Sequence, residues 1–283
     1  MTAPKAQPRN DEARALRWQA GALEVRDETL ADEALVALVY NGVSHAVMLA
    51  SPSDLEDFAV GFTLSEGIAS WAEIVDVEIV PIEAGVEAGI EARVTLVEAR
   101  FQALQARRRQ LTGRTGCGLC GVEHLAQALP AVAAVASDFQ STPEAVLAGM
   151  VRLAALQPLN RITGAVHAAG WLASDALTVR EDVGRHNALD KLIGALAAAR
   201  APGDGVLLMT SRASSEIIHK AASAGLPIVA AISAPTRLAV ALAEAAGIAL
   251  IGFARGERLT IYSHPQRLGL ASTPEAAASA IPR

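Results

Sequence analysis

The chain has 283 residues, 52 % of them hydrophobic and only 4 % aromatic, enough for one large domain or two modest ones packed with small aliphatic side chains. A net charge of −6 excludes a surface built as a whole to bind nucleic acid, and two cysteines cannot make a disulfide framework. Met1 to Asn10 carries no apolar run of a secretory signal, and no window of about 18 apolar residues occurs, so the chain reads as soluble, cytoplasmic and away from the membrane.

Residues 1–15, rich in charge and proline, are expected to be a disordered tail. Ala34 to Tyr40 and Val43 to Ala50 read as two strands joined by the hairpin turn Asn41-Gly42. Ser51 or Ser53 is expected to cap a helix whose apolar positions are Leu55, Phe58, Ala59 and Phe62, ending near Gly67. Val75 to Val80 and Glu91 to Val97 read as strands, making residues 16–112 an α+β unit. A mobile loop is expected at 113–121, and a helix from Val122 to Ala136 interrupted near Pro130.

Thr142-Pro143-Glu144 opens a further helix with a threonine cap. Strands then alternate with helices: Val166 to Ala173, Ala176 to Val179, a helix from Asn187 to Ala199, Val206 to Met209, a helix from Ser214 to Ala224, Ile228 to Ile232, a helix from Thr236 to Ala246, and the hairpin Ile248 to Phe253 with Leu259 to Tyr262. The fold class is therefore α/β: an N-terminal α+β unit followed, over 122–283, by an α/β/α domain with a mostly parallel sheet.

The only cysteines, Cys117 and Cys120, form a Cys-x-x-Cys between glycines, after Arg107, Arg108, Arg109 and Arg114. Nearby cations and a helix N-terminus lower a thiol pKa, and the thiolate is the reactive form. Three readings stay open: buried structural cysteines, a metal site short of its four ligands with only His124 near, and redox or sulfur-transfer chemistry.

Other loops follow strands, where α/β sheets bind ligands. Thr210 to Ser215, with Arg212 and Ser214, is a phosphate cradle or an ordinary serine cap, and Ser233 to Thr236 reads as a cap. Arg180 to Asn187, including His186, is a ligand site or a structural network. Phe253-Ala254-Arg255-Gly256-Glu257-Arg258 is an exposed turn or a phosphate clamp. His167 is followed two residues later by Ala169, where a zinc nucleobase deaminase needs glutamate.

The run Arg-Glu-Asp-Val-Gly-Arg-His-Asn-Ala-Leu-Asp-Lys at 180–191 resembles the hallmark of the FdhD family, the sulfur carriers that serve formate dehydrogenase. The likeness extends over about 35–268, through Tyr40-Asn41-Gly42, Asp54 to Asp57, Ser65-Glu66-Gly67, Cys-Gly-Leu-Cys-Gly at 117–121, Thr210 to Ser214, Ser233 to Thr236 and Tyr262 to Pro265. Thr115-Gly116 and Ser215 depart from the usual pattern. The resemblance implies a cytidine-deaminase-like C-terminal part, a homodimer, and a sulfurtransferase working through a cysteine persulfide. Sulfur would pass from a cysteine desulfurase to the Mo-bis(molybdopterin guanine dinucleotide) cofactor, a bound substrate, before that cofactor enters formate dehydrogenase. It assigns Cys117 as carrier, Cys120 as its support and Phe253 to Arg258 as the cofactor-binding segment; His186, Arg212 and Ser214, from the loops after strands, are the further candidate ligand contacts. A dithiol oxidoreductase and a non-catalytic cofactor-insertion chaperone are the alternatives.

Overall fold

The computed structural model describes residues 12–82, 89–111, 132–200 and 203–271. The loop at 113–121, with Cys117 and Cys120, and most of the helix expected from Val122 lie outside the described residues. The end of that expected helix, Val132 to Ala136, is not helical, and the Val135 N–H donates to the Ala246 carbonyl at 2.8 Å.

The first element is an antiparallel ribbon of β1 (Glu12–Gln19) and β2 (Ala22–Thr29). Its turn residues Ala20 and Gly21 have φ of 50° and 90°, the double positive φ that matches strand twist in a tight hairpin. Paired structure thus starts at Glu12, inside the stretch expected as a tail. Charge count hid it, because the charges of one ribbon face pair across it, Arg17 with Glu28 at 2.6 Å.

A four-stranded sheet follows in the order β4-β3-β6-β5, made of β3 (Ala34–Tyr40), β4 (Val43–Ala50), β5 (Ile74–Ile82) and β6 (Gly89–Leu96). The β3–β6 pair is parallel and the others antiparallel. Asn41 does more than turn the chain: its side chain donates to the Leu96 carbonyl and accepts from the Leu96 N–H, fixing β6 against the β3–β4 turn. One face packs Val36, Leu38, Tyr40, Val94 and Leu96 against Phe58 and Phe62 of helix α1 (Leu55–Ser65).

Neither expected serine caps α1. Its N-cap is Asp54, in the left-handed region at φ 51° with no side-chain cap bond. Ser51 is used instead as a staple to the second unit: its N–H donates to Asp182 Oδ2 at 3.0 Å and its Oγ accepts from the Val183 N–H at 3.1 Å. Helix α2 (Glu98–Leu111) was not expected, because it lacks a broad apolar stripe; strong helix formers build it, and Phe101 and Leu104 suffice to seat it on the first core.

The second sheet runs β12-β11-β10-β9-β7-β8. Its strands are β7 (His167–Ala173), β8 (Ala176–Asp182), β9 (Val206–Met209), β10 (Ile228–Ala231), β11 (Ala249–Arg255) and β12 (Arg258–Ile261). Only β9–β10 and β10–β11 are parallel, so the sheet is mixed rather than mostly parallel. The two tight hairpins, β7–β8 and β11–β12, force antiparallel edges. Leu207 and Met209 face a core under helices α5 (Arg185–Ala198), α6 (Ser215–Ser223) and α7 (Arg237–Ala246). Val206 and Leu208 face α3 (Pro143–Ala155) on the other side. Thr142 caps α3 as expected, accepting from the Ala145 N–H. A short unexpected helix, α4 (Pro158–Thr163), is held by Glu181, which accepts from the Leu159 and Asn160 N–H groups at its start.

Helices α1 and α5 join the two units. A Cβ on Gly61 would overlap the Asp190 carbonyl, and one on Gly194 the Asp57 carbonyl, so these helices touch backbone to backbone. Gly194→Ala is expected to cost about 3 kcal/mol and lower the melting midpoint by roughly 5–10 °C. A melting curve by circular dichroism checks this, and an unchanged midpoint would refute so close a crossing.

Candidate functional site

Strands β8, β9 and β10 end at the same edge of the second sheet, where β7 begins and where α5, α6 and α7 start. A cavity of about 330 Å³ opens there, lined by His167, Arg185, Thr210, Ser211, Arg212 and Ser233. Three segments that the sequence marks separately, around 185, 212 and 233, thus meet in one place.

Backbone bonds hold this rim across neighbouring strands. The Thr210 N–H donates to the Ala168 carbonyl at 3.1 Å and its Oγ1 accepts from the Ala168 N–H at 2.8 Å. The Thr236 N–H donates to the Ala213 carbonyl at 3.0 Å, and the Phe253 N–H to the Ser233 carbonyl at 3.2 Å. Thr236 Oγ1 accepts from the Ala239 N–H and caps α7, so the capping reading of 233–236 holds. Ser214 is the N-cap residue of α6 but makes no side-chain cap bond. Its Oγ is buried without a partner, as is Arg185 Nε. Both are polar atoms at helix starts; Arg185 lines the cavity, whereas Ser214 lies two residues beyond the lining residue Arg212.

Burial lowers the pKa of His167, and the Arg185 charge lowers it further, so this imidazole is neutral at pH 7. His186 is lowered by burial as well, against the opposing pull of Glu216. Its Nε2 stands 2.8 Å from Glu216 Oε2, off the line of a hydrogen bond, and the two form an ion pair only when the ring is protonated. His186 does not line the cavity; it follows Arg185 on the first turn of α5.

Most of the 180–191 cluster is structural. Arg180 pairs with Asp57 of α1 at 2.7 Å. Asp182 and Lys191, both fully buried, meet at 2.6 Å. The Asp182 carboxylate also accepts from the Ser51 and Gly184 N–H groups and from Asn187 Nδ2, while Asn187 donates to the Leu49 carbonyl. Asp190 lies 2.9 Å from Lys220, which also reaches Ser65 and Glu66 of the first unit. Burial lowers the Lys191 pKa despite Asp182, whereas Asp190 and Glu66 outweigh burial and hold Lys220 above its ordinary value. Arg185 is the member of the cluster that reaches the cavity.

The 253–258 segment forms the β11–β12 turn. Ala254 is fully buried and Phe253 has φ 52°, while Arg255, Gly256, Glu257 and Arg258 are exposed at the tip. The tip shares the cavity's edge of the sheet without lining the cavity. Among the described residues, Arg185, Arg212, Arg237, Arg255 and Arg258 have no acidic partner within 4.0 Å, so this edge gathers unneutralised cations on an acidic chain. Thr210 and Ser211 lie in the segment read as a cradle or a cap and Ser233 in the one read as a cap, whereas His167 is weighed only against deaminase chemistry. Their signal was positional, at strand ends that only the sheet order brings together.

Replacing Lys191 with Met leaves Asp182 charged and buried without its cation, and is expected to cost about 3–5 kcal/mol. Chemical denaturation measures this. A loss under about 1 kcal/mol would mean that the hydrogen bonds alone hold Asp182.

No helix among the described residues is long and apolar enough to cross a membrane. A protein from Cupriavidus necator named sulfur carrier protein FdhD is 51 % identical over 256 residues, 89 % of this chain and 88 % of its own length. One of the same name from Xanthomonas axonopodis pv. citri is 49 % identical over 257 residues, 90 % of each chain. The crystal structure of a protein provisionally described as a formate dehydrogenase accessory protein, from Desulfotalea psychrophila, superposes with a TM-score of 0.72 at 23 % identity, over 92 % of this chain and 99 % of that one, a likeness of fold. The FdhD/NarQ family model matches residues 31–269, from the start of the first sheet to the end of the second unit, and the chain belongs to that family.

Proposed function

We propose that this protein is a sulfur carrier and sulfurtransferase for formate dehydrogenase maturation, with Cys117 as the persulfide-forming residue. The observation that carries the reading is the family match over 31–269, which spans the Cys117-x-x-Cys120 loop and the cation-lined cavity together. In the first step the Cys117 thiolate attacks the terminal sulfur of a cysteine desulfurase persulfide. The donor's S–S bond breaks, a bond forms between Cys117 Sγ and that sulfur, and the desulfurase thiolate leaves. In the second step the Cys120 thiolate attacks Cys117 Sγ: the Cys117 persulfide S–S bond breaks, a Cys117–Cys120 disulfide forms, and the outer sulfur, carrying the electron pair, leaves as sulfide to the Mo-bis(molybdopterin guanine dinucleotide) substrate; a thiol reductant then restores the two cysteines.

The chain's own part in the second step is to hold a polyanionic dinucleotide. Arg185 and Arg212, with the N–H groups at the starts of α5, α6 and α7, suit one phosphate region. Arg255 and Arg258 suit an adjoining one on the rim. Ser214 Oγ and the neutral His167 supply hydrogen bonds without further charge.

Incubation with a cysteine desulfurase and cysteine is expected to add about 32 Da, one sulfur atom, to the intact protein. The gain should persist in Cys120→Ala and vanish in Cys117→Ala. No gain in any form, or formate dehydrogenase activation in cells by the double alanine variant, would overturn the carrier reading in favour of a dithiol oxidoreductase or a cofactor-insertion chaperone. Separately, Arg255→Ala/Arg258→Ala is expected to weaken guanosine diphosphate binding about tenfold or more by calorimetry. An unchanged affinity would remove the hairpin tip from the binding site.

A further inference from the structure

The β1–β2 ribbon is amphipathic and uncovered. Directly opposed pairs put Leu16 with Val25 and Trp18 with Leu23 on one face, with Arg14 and Asp27 nearer the base. The opposite face carries Arg17, Glu24, Arg26 and Glu28, ion-paired among themselves. A two-stranded hairpin is marginal in water unless its apolar face is covered. Yet Leu16, Trp18, Leu23 and Val25 are 68, 69, 68 and 50 % exposed.

A second uncovered apolar patch lies on the outer face of the four-stranded sheet. Leu35 opposes Leu49 and Ala37 opposes Val47, and Leu35, Val47 and Leu49 are 48, 60 and 52 % exposed. The same face continues across β6 and β5 as a charged row, in which Arg93 pairs with Glu91 and Glu78. Ribbon face and sheet face therefore share one pattern, an apolar area beside a charged one.

One chain cannot readily bring the two together. The ribbon is joined to β3 by Leu30 to Glu33, a link of at most about 14 Å, and β2 rests against α4, while its tip stands about 25 Å beyond its base. We propose that the ribbon is an exchanged arm. Its apolar face packs on the outer sheet face of a second copy of this chain, and a two-fold axis makes the contact twice. The seven side chains supply on the order of 700 Å² per copy, about 1,400 Å² in all, within the roughly 1,200–2,000 Å² of a standard stable interface. The assignment is independent of the sulfur chemistry. The ribbon also precedes residue 31, where the family match begins.

Sedimentation equilibrium of the full chain tests the arm. The wild type is expected to be a dimer, with dissociation about 30-fold or more easier in both Trp18→Lys/Leu23→Lys and Val47→Lys/Leu49→Lys. All four positions are exposed, and unchanged circular dichroism and melting of the two units confirm that each variant is folded. Mixing the two variants is the sharper experiment. Neither homodimer has a sound contact, but the mixed pair regains one intact ribbon-on-sheet contact, so a heterodimer should reappear. A monomeric wild type at up to about 100 μM, a dimer indifferent to the sheet variant, or no rescue on mixing would each overturn the exchanged arm.

Discussion

The contact between α1 and α5 governs the rest of the molecule. Gly61 and Gly194 let the two helices meet at backbone distance, so the first unit presents its carbonyls and short side chains directly to the second. Buried charge becomes tolerable there because partners are close and fixed. Lys191 is held by Asp182 and the Ser51 carbonyl, and Lys220 by Asp190, Ser65 and Glu66. Removing two charges from water is costly, and the cost is offset only when geometry and additional hydrogen bonds are good. Each pair here meets that condition, and each also specifies a single docking of one unit on the other.

This explains why a motif dense in charge contributes so little of itself to the cavity. Arg180, Glu181, Asp182, Asn187, Asp190 and Lys191 turn toward α1, α4 and the Ser51 segment. Their collective effect is positional. They fix Gly184 as the N-cap of α5, and Arg185 follows at its first turn. A ligand-facing cation held by a rigid scaffold loses little freedom on binding, which is the advantage of preorganisation.

Local chemistry was legible in the sequence where it acts locally. The Asn41-Gly42 turn, the Thr142 and Thr236 caps and the buried strand Val206–Met209 follow from residues within a few positions of one another. What could not be read depends on distant partners. Ser51 looks like a helix cap, but its partner Asp182 lies 131 positions away, and that buried carboxylate competes successfully for it. Helix α2 and the ribbon escaped notice for a related reason: neither shows a conventional buried stripe, one resting on two side chains and the other bare on one face. The strand-end residues of the cavity became a site only through the sheet order, in which β9 sits between β7 and β10.

Charge distribution completes the argument. The chain is acidic as a whole, yet the edge where β8, β9, β10 and β11 end holds arginines without acidic partners. Arg14, Arg152, Arg161 and Arg267 also lack acidic partners, so what distinguishes this edge is that five such arginines share it. Helix starts add partial positive charge at the same place, and low-dielectric walls around a cavity concentrate the resulting field. Two neutral histidines beside Arg185 keep that field from growing until the pH falls below the ordinary histidine range. An anion entering there meets donors already oriented and already stripped of water on one side, as the unpartnered Arg185 Nε and Ser214 Oγ are. Asp57, Asp182, Asp190 and Glu66 serve the junction of the two units, and the arginines at the sheet edge are left without acidic partners.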